Sequence, residues 1–273
     1  MAKREEHEDN IGAYDYLPFA RRRDLVVDIV ALARLKHHVP ILLEVDVSRA
    51  REYIRQYKER TGKRLSFTGW IAKCVAVAIS EHPGIHALRS GKRSLVVFQD
   101  IDVLVTIQKR TNEGEIPIPY IVRRADGKTV YEINDEIRAA QAQNTDSHDL
   151  VLGNNPWYAG VYPRLPQFLR QALGRMLLRN PFAIKKRTGT VGISSIGMMG
   201  SFSGWAIPMG PLPIQFGIGS VSPKPWLHKD AIQAREILDL AFVFDHDVID
   251  GTPVARFIGR LTELLENGEG LNE

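Results

Sequence analysis

The chain has 273 residues, of which 44% are apolar, 25% charged and 8% aromatic. This length and composition predict one or two globular domains and exclude a collagen-like, coiled-coil or wholly disordered protein. Every apolar run is far shorter than the ~20 residues of a membrane span, and the charged N-terminus does not resemble a signal peptide. The single cysteine, Cys74, excludes an intrachain disulfide and favours a cytoplasmic location.

The net charge of +4 is unevenly distributed along the chain. Residues 164–187 carry seven basic and no acidic side chains, so the rest of the chain has a net charge of −3. The chain as a whole therefore lacks the charge of a nucleic-acid binder, whereas this one segment is suited to an anionic partner.

The N-terminal half is predicted to begin with a polar arm and then to mix helices with strands. Apolar residues three and four apart predict helices, and short runs of Ile, Leu and Val predict strands. The predicted elements are, in order, an arm over residues 1–19, a helix from Arg21 ended by Pro40, a strand over 41–47, a helix capped by Ser48 and closed at Thr61-Gly62, and a helix capped by Thr68 and ended by His82-Pro83-Gly84.

The pattern continues to the C-terminus with five further strands, an extended segment and three helices, one of them basic and amphipathic. The predicted elements are a hairpin of strands 94–98 and 101–107, an extended segment over 116–122, a helix over 130–143, a basic helix between Pro166 and Asn180-Pro181, strands over 190–194, 214–221 and 237–244, and a final helix capped by Thr252, with Pro253 at its first position and Gly268 at its end. This mixture predicts an α/β layered domain.

The strongest candidate for chemistry is His246, which follows a buried strand and precedes the final helix. A histidine at a strand end can take a proton from a thiol or hydroxyl near neutral pH. Asp250, four residues later, can hold the loop through a charge-assisted bond to an arginine. The pattern alone leaves open a surface histidine followed by an ordinary first helical turn.

Four segments resemble one known family, in that family's order along the chain. From the N-terminus they are residues 65–79 with the following His82-Pro83, 122–133, 189–200 and 244–266. Over roughly residues 20–138 and 188–268 the chain resembles the catalytic domain of the 2-oxoacid dehydrogenase acyltransferases, the dihydrolipoamide acyltransferases. The resemblance implies an α/β, chloramphenicol acetyltransferase-like mixed-sheet domain with flanking helices over residues 20–273.

The resemblance also implies roles for individual residues. His246 would be the general base that deprotonates a thiol of coenzyme A or dihydrolipoamide, and Ser194 would donate its hydroxyl to the oxyanion of the tetrahedral intermediate. Asp250 and Gly251 would support the active-site loop, with Asp250 held by an N-terminal arginine. We take Arg22 as that arginine, with its two neighbours in the sequence as alternatives. Ser194 can also be read as an ordinary strand-end serine.

The implied assembly is a homotrimer in which the base and the serine come from adjacent subunits. Coenzyme A would be a substrate, and a lipoyl group would have to come from another chain, because no lipoyl domain or partner-binding domain precedes the core. A lipoyl-bearing or 2-oxoacid dehydrogenase partner is compatible with this, whereas nucleic acid and a membrane are not expected partners. No metal is expected, since His37-His38 and His82/His86 are poorly spaced for ligation and Cys74 lies on an apolar helix face.

The chain departs from the family pattern at several places. Asp247 stands where the family usually has Arg, which places a negative charge beside the base and favours the imidazolium; Ser195 stands where the family has Asn. A basic insert around residues 140–187 has four readings: it grips coenzyme A phosphates, docks an acidic partner, lies on an anionic membrane surface, or packs on the trimer with its arginines in solvent. The tail has one apolar residue, Leu271, which predicts trimers that build no cage.

Two alternatives to the acyltransferase reading stay open. The chain can be a non-catalytic scaffold of a 2-oxoacid dehydrogenase assembly, although such a scaffold needs neither His246 nor Ser194. It can also be a lipoate-independent transferase that acylates a small hydroxyl or amine acceptor from acyl-CoA.

Overall fold

A computed structural model describes residues 12, 14–19, 23–111, 114–142, 164–196, 203–228 and 230–271, apart from the side chains of 109–116. The helices are α1 (Arg23–Ala33), α2 (Ser48–Thr61), α3 (Phe67–Glu81), α4 (Val130–Ala142), α5 (Gln167–Leu178), α6 (Pro181–Thr188) and α7 (Gly251–Asn267), with short 3₁₀ turns at Pro83–His86 and Ala125–Gly127. The strands are β1 (His38–Asp46), β2 (Leu88–Ser90), β3 (Ser94–Val96), β4 (Val103–Thr111), β5 (Gly114–Val122), β6 (Val191–Ser195), β7 (Ile214–His228) and β8 (Ala231–Asp245).

Six strands form one mixed sheet in the order β1-β8-β7-β6-β4-β5. Strands β4, β6 and β7 run parallel to one another, and the other neighbours are antiparallel. The outer strands β1 and β5 carry Pro40, Pro117 and Pro119, which suits edge positions because proline has no N–H to donate to a neighbour. The predicted α/β class, a mixed sheet with flanking helices, is confirmed.

Helices α3 and α7 cover one face of the sheet and form the core with it. Helix α3 is buried along most of its length. The rings of Phe216 on β7, Phe242 on β8 and Phe257 on α7 pack together, with centroids 4.9 Å apart across the strands and 5.5 Å from strand to helix. The apolar stripe predicted for the last helix is therefore confirmed, and Gly268 ends that helix with a φ of 67°.

Three predicted helix caps are wrong. Helix α3 is capped by Ser66, whose Oγ accepts a hydrogen bond from Gly69 N at 3.1 Å, and not by Thr68. Ser48 is already helical, and its Oγ accepts from Glu236 N on β8 at 2.8 Å, so the hydroxyl bonds to a neighbouring strand instead. Helix α7 begins at Gly251, upstream of the predicted cap at Thr252.

Several predicted strand boundaries and pairings are also wrong. Strand β3 pairs with β2 in a separate two-stranded sheet, so the predicted hairpin of 94–98 with 101–107 does not form. The intervening backbone bonds elsewhere, because Ile101 N donates to the carboxylate of Asp126 at 3.0 Å. Pro40 lies inside β1 and does not end a helix, since α1 already ends at Ala33.

Strands β7 and β8 continue well beyond their predicted lengths as a hairpin. They pair from Ile214↔Phe244 out to His228↔Ala231. The outer half lies away from the buried core and exposes large apolar side chains, including Leu227 and Ile232. The predicted strands cover only the inner, buried half, where the apolar pattern is strongest.

The basic segment forms two helices where one was predicted. Asn180-Pro181 ends α5 and starts α6, with Asn180 Oδ1 accepting from Ala183 N at 3.1 Å. Helix α5 packs on α1, and Gly174 lies so close to Leu32 that a Cβ there would be 2.5 Å from its Cδ1. Most of the predicted arm and residues 143–163 of the insert lie outside the described residues. In the part of the chain that is described, every helix is too short or too polar to cross a bilayer.

Candidate functional site

His246 sits in a turn directly after β8, at the edge of the sheet where β1 begins. Its side chain is 47% exposed, and its ring lies 5.6 Å from the Phe244 ring between centroids. The backbone N of His246 donates to His37 O at 3.0 Å, which ties the turn to the start of β1. The imidazole is therefore accessible to solvent while its backbone is fixed.

The residues on either side of His246 are held by side-chain hydrogen bonds that the sequence interpretation missed. Lys36 Nζ donates to Asp245 Oδ2 at 2.8 Å, and His37 Nδ1 donates to Asp247 Oδ1 at 2.9 Å. The carboxylate of Asp247, whose negative charge is predicted from the sequence to act on His246, thus accepts a hydrogen bond from His37. The sequence contained one signal for this arrangement, a Lys-His-His run just before a predicted strand.

Asp250 and Gly251 lie where the turn enters α7. Asp250 Oδ1 is 4.0 Å from His246 Nδ1, and the Asp250 side chain is 90% exposed. Arg22 and Arg21 lie outside the described residues, so a bond between Asp250 and an N-terminal arginine stays a prediction. Gly251 opens α7 with open space around its Cα.

Ser194 lies on β6, on the face of the sheet opposite the helical core. Val191 and Ile193 point into the core, so the alternation of side chains places Ser194 on the same face as Gly192. On that face the side chains of Leu212 and Gln215 lie closest to Gly192. The adjacent Ser195 Oγ is buried without a hydrogen-bond partner among the described residues.

The segment 203–213 returns over this face and packs on glycines of β7. A Cβ on Gly217 would lie 1.6 Å from Ala206 O, and one on Gly219 would lie 2.3 Å from Gly204 O. Ser220 Oγ donates to the fully buried Asp239 at 2.5 Å and accepts from Gly204 N at 2.9 Å. The close approach of the backbone therefore requires glycine at these two positions.

Within one chain, Ser194 and His246 are far apart. The strand register aligns Ser194 with Gly217 and then with Ala241 on β8, five residues before His246. With a rise of ~3.3 Å per residue and ~4.8 Å between strands, the two residues are separated by roughly 16 Å along the sheet and roughly 10 Å across it. They cannot act on the same atoms within one chain.

The other candidate residues have structural partners. His38 Nε2 donates to Leu212 O at 3.0 Å, and burial lowers the pKa of His38. His86 is fully buried between Thr190 Oγ1 at 2.7 Å and Phe98 O at 3.2 Å, and burial lowers its pKa to about 4. Burial raises the pKa of the Cys74 thiol, so it stays protonated inside α3. No grouping of three metal-ligating side chains occurs among the residues described.

The sequence profile of one family matches most of the chain. The profile of 2-oxoacid dehydrogenases acyltransferase (catalytic domain) matches residues 14–150 and 185–272, which include His246 and Ser194. Residues 151–184, which lie within the basic insert predicted around 140–187, have no counterpart in the profile.

Similar curated proteins include two bacterial ones. The dihydrolipoyllysine-residue acetyltransferase component of the pyruvate dehydrogenase complex of Staphylococcus epidermidis is 25% identical over 247 residues, 88% of this chain and 48% of that protein. The same component of Staphylococcus aureus is 24% identical over 255 residues, 92% of this chain and 51% of that protein. The chain thus spans about half the length of these relatives.

Solved structures share the fold. A dihydrolipoamide acetyltransferase (E2p) of Azotobacter vinelandii superposes with a TM-score of 0.69 at 20% identity, covering 95% of this chain and 94% of that one. A probable dihydrolipoamide acetyltransferase of Listeria monocytogenes gives 0.66 at 19% identity, covering 93% and 95%. At these identities the likeness establishes the fold.

Proposed function

The chain belongs to the 2-oxoacid dehydrogenases acyltransferase (catalytic domain) family, and we propose that it transfers an acyl group between coenzyme A and a thiol such as dihydrolipoamide. The observation that carries the proposal is that the family match includes both strand ends at which His246 and Ser194 lie. The two Staphylococcus proteins are named acetyltransferase components of a pyruvate dehydrogenase complex.

In the proposed reaction, an imidazole nitrogen of His246 takes the proton of the acceptor thiol. The sulfur attacks the carbonyl carbon of acyl-CoA, and the Ser194 hydroxyl donates to the oxyanion that forms. The bond from carbon to the coenzyme A sulfur then breaks, and the departing coenzyme A thiolate takes the proton from the imidazolium. A general base typically contributes ~100- to 10,000-fold and an oxyanion donor ~100- to 1,000-fold in rate. The Azotobacter vinelandii structure likewise addresses the role of a serine, a histidine and an asparagine in that enzyme's catalytic mechanism.

We further propose that the active unit is a homotrimer with each site between two subunits. The separation of Ser194 from His246 in one chain supports this, because the reaction needs both groups around one thioester. Leu271 is buried in its own core, which supports the prediction that it does not join trimers into a cage.

A subunit-mixing experiment tests the mechanism and the shared site together. His246→Ala and Ser194→Ala are each expected to lose at least ~100-fold in kcat for acetyl-CoA and dihydrolipoamide. Mixed trimers of the two variants, isolated through two affinity tags, should regain about a third of the wild-type kcat, since one of three rotationally related interfaces then carries both intact residues. Mixed trimers without activity would exclude the shared site.

The same assay separates the two alternatives. Turnover with hydroxyl or amine acceptors but not with dihydrolipoamide would indicate a lipoate-independent transferase. Wild-type trimers without turnover on any acceptor would favour the scaffold. A lipoyl-bearing partner chain and a cytoplasmic location stay predictions, the latter resting on the single cysteine.

The basic segment is proposed to modify the substrate channel or partner contacts. The exposed side of α5 supports this proposal. Although α5 packs on α1, it leaves Phe168 and Met176 69% and 66% exposed, together with the exposed side chains of Arg175 and Arg179. Replacing Phe168 and Met176 with Ser and the two arginines with Gln should raise the KM for acyl-CoA or weaken partner binding in a trimer that still folds. A folded variant with neither change would refute the idea.

A further inference from the structure

Three consecutive residues that lead into β1 contact three separate points around His246. Lys36 pairs with the Asp245 carboxylate, His37 bonds through its carbonyl to His246 N and through its ring to Asp247, and His38 bonds to Leu212 O. We call these three residues the anchor triplet. Leu212 leads into β7, and Pro213 O accepts from Asp245 N at 2.8 Å, so the triplet and β7 together enclose the end of β8.

The Asp245 carboxylate is the central contact of this arrangement. Its side chain is 0% exposed, whereas that of Lys36 is 17% exposed. One carboxylate oxygen accepts from Lys36 Nζ at 2.8 Å, and the other accepts from Asp247 N at 3.2 Å. The carboxylate therefore spans the turn from the residue before His246 to the residue after it. Among the described residues that bond to this carboxylate Lys36 is the cation, so its removal would leave a buried charge that they do not compensate.

We propose that Lys36 is a positioning residue for His246. This inference rests on the proposed function, in which His246 is the general base. Lys36 fixes the Asp245 carboxylate, the carboxylate fixes the backbone on both sides of His246, and the imidazole is thereby directed at the acceptor thiol. A general base acts only within hydrogen-bond reach of its proton, and a displacement of ~1 Å typically costs ~100-fold in rate.

A purely structural role for the pair is the competing explanation, and the same two strands offer a control for it. At their opposite ends, Arg235 on β8 donates from Nε to Asp46 Oδ2 on β1 at 2.7 Å, and Asp46 is buried. This pair joins β1 to β8 as Lys36–Asp245 does, but it lies ten residues of β8 away from Asp245. Loss of either pair should lower stability, and only loss of the Lys36 pair should affect His246.

The experiment compares Lys36→Met with Arg235→Met in the full-length trimer. We expect kcat with acetyl-CoA and dihydrolipoamide to fall ~100-fold in Lys36→Met, with both KM values within about twofold of wild type. Lys36→Arg, which keeps a cation at this position, should regain most of the lost kcat. In ¹³Cε1-histidine NMR, the His246 signal, assigned from its loss in His246→Ala, should shift or broaden in Lys36→Met and stay in place in Arg235→Met.

If Lys36→Met does not fold, the double variant Lys36→Met/Asp245→Asn takes its place in the comparison. The double variant leaves no unpaired charge buried at this position. A Lys36→Met or double variant with wild-type kcat and an unmoved His246 signal would overturn the positioning role. So would an equal loss of kcat in Arg235→Met. An inactive His246→Ala beside a fully active Lys36→Met refutes this inference alone, whereas a fully active His246→Ala removes the proposed function and this inference with it.

Discussion

Arg170 on α5 donates from Nε to Asp28 Oδ2 on α1 across 2.6 Å, and both side chains are buried. This pair attaches the segment that has no counterpart in the family profile to an N-terminal helix that the profile includes. Arg170 Nη1 also donates to Leu165 O at 2.8 Å, so the guanidinium fixes the entry to α5 as well.

Arg170→Met should therefore be strongly destabilising. Removing one member of a buried ion pair typically costs about 3–5 kcal/mol in the free energy of unfolding. Urea denaturation measures the loss, and hydrogen exchange should show faster exchange in α1 and α5. Arg175→Met, on the exposed side of the same helix, should stay within about 0.5 kcal/mol of wild type. Equal losses in the two variants would contradict a special role for Arg170.

Gly217→Ala should destabilise the sheet face that carries Ser194. The added Cβ would lie 1.6 Å from Ala206 O, so the 203–213 segment would have to move off β7. Overpacking of this kind typically costs about 1–3 kcal/mol in unfolding free energy.

Gly259 in α7 provides the matched control, because its Cβ would meet open space. Gly259→Ala should stabilise the protein by about 0.5–1 kcal/mol, since alanine is the better helix former. Thermal unfolding of both variants should therefore move the Tm in opposite directions, and a shift of the same sign would contradict the packing argument.

The sequence predicted those elements whose signals are local. The end of α2 at Gly62 and the end of α7 at Gly268 follow from glycines that adopt a positive φ in the structure, and the stripe of α7 follows from helical spacing. The wrong cap at Ser48 has an identifiable cause. Ser48 and Thr252 are good N-cap residues by type, but the hydroxyl of Ser48 is used by a strand distant in sequence, which no local pattern reveals.

For the candidate site, the sequence identified His246 but not the residues that hold it. Lys36 and Asp245 are 209 positions apart, and their contact exists only because β1 pairs with β8 at the sheet edge. The separation of Ser194 from His246 likewise depends on strand order and register. Both features depend on strand order, which local sequence patterns do not reveal.

Leu271 is expected to stabilise the core of its own chain. It is buried against the α3–α4–α7 core, and Glu269 O beside it accepts from Trp70 Nε1 at 3.0 Å. Leu271→Ala should cost about 2–5 kcal/mol in unfolding free energy, with no change in particle mass by light scattering. Leu95→Ala, at a half-exposed position, should cost no more than about 0.5 kcal/mol. A fall in particle mass at full stability would show that Leu271 serves assembly instead.

Stability should fall as the pH is lowered below about 6.5, the ordinary pKa of histidine. Burial lowers the pKa of His86 to about 4, so between these two values the unfolded chain binds a proton that the folded chain does not. The stabilisation is fully present above pH 6.5 and is lost as the pH falls towards 4. The difference of two to three pKa units corresponds to about 3 kcal/mol. Burial also lowers the pKa of His38, which adds a loss of the same sign.

His86→Gln isolates this contribution, because an amide can keep the donor to Phe98 O and does not titrate. Urea unfolding at pH 7, 6 and 5 measures the free energy of unfolding. As the pH is lowered, this free energy should fall less steeply in the variant than in wild type, with slopes that differ by up to about 1.4 kcal/mol per pH unit. Parallel slopes in the two proteins would show that His86 takes up its proton over the same pH range in the folded and unfolded chains, and would contradict the lowering of its pKa by burial.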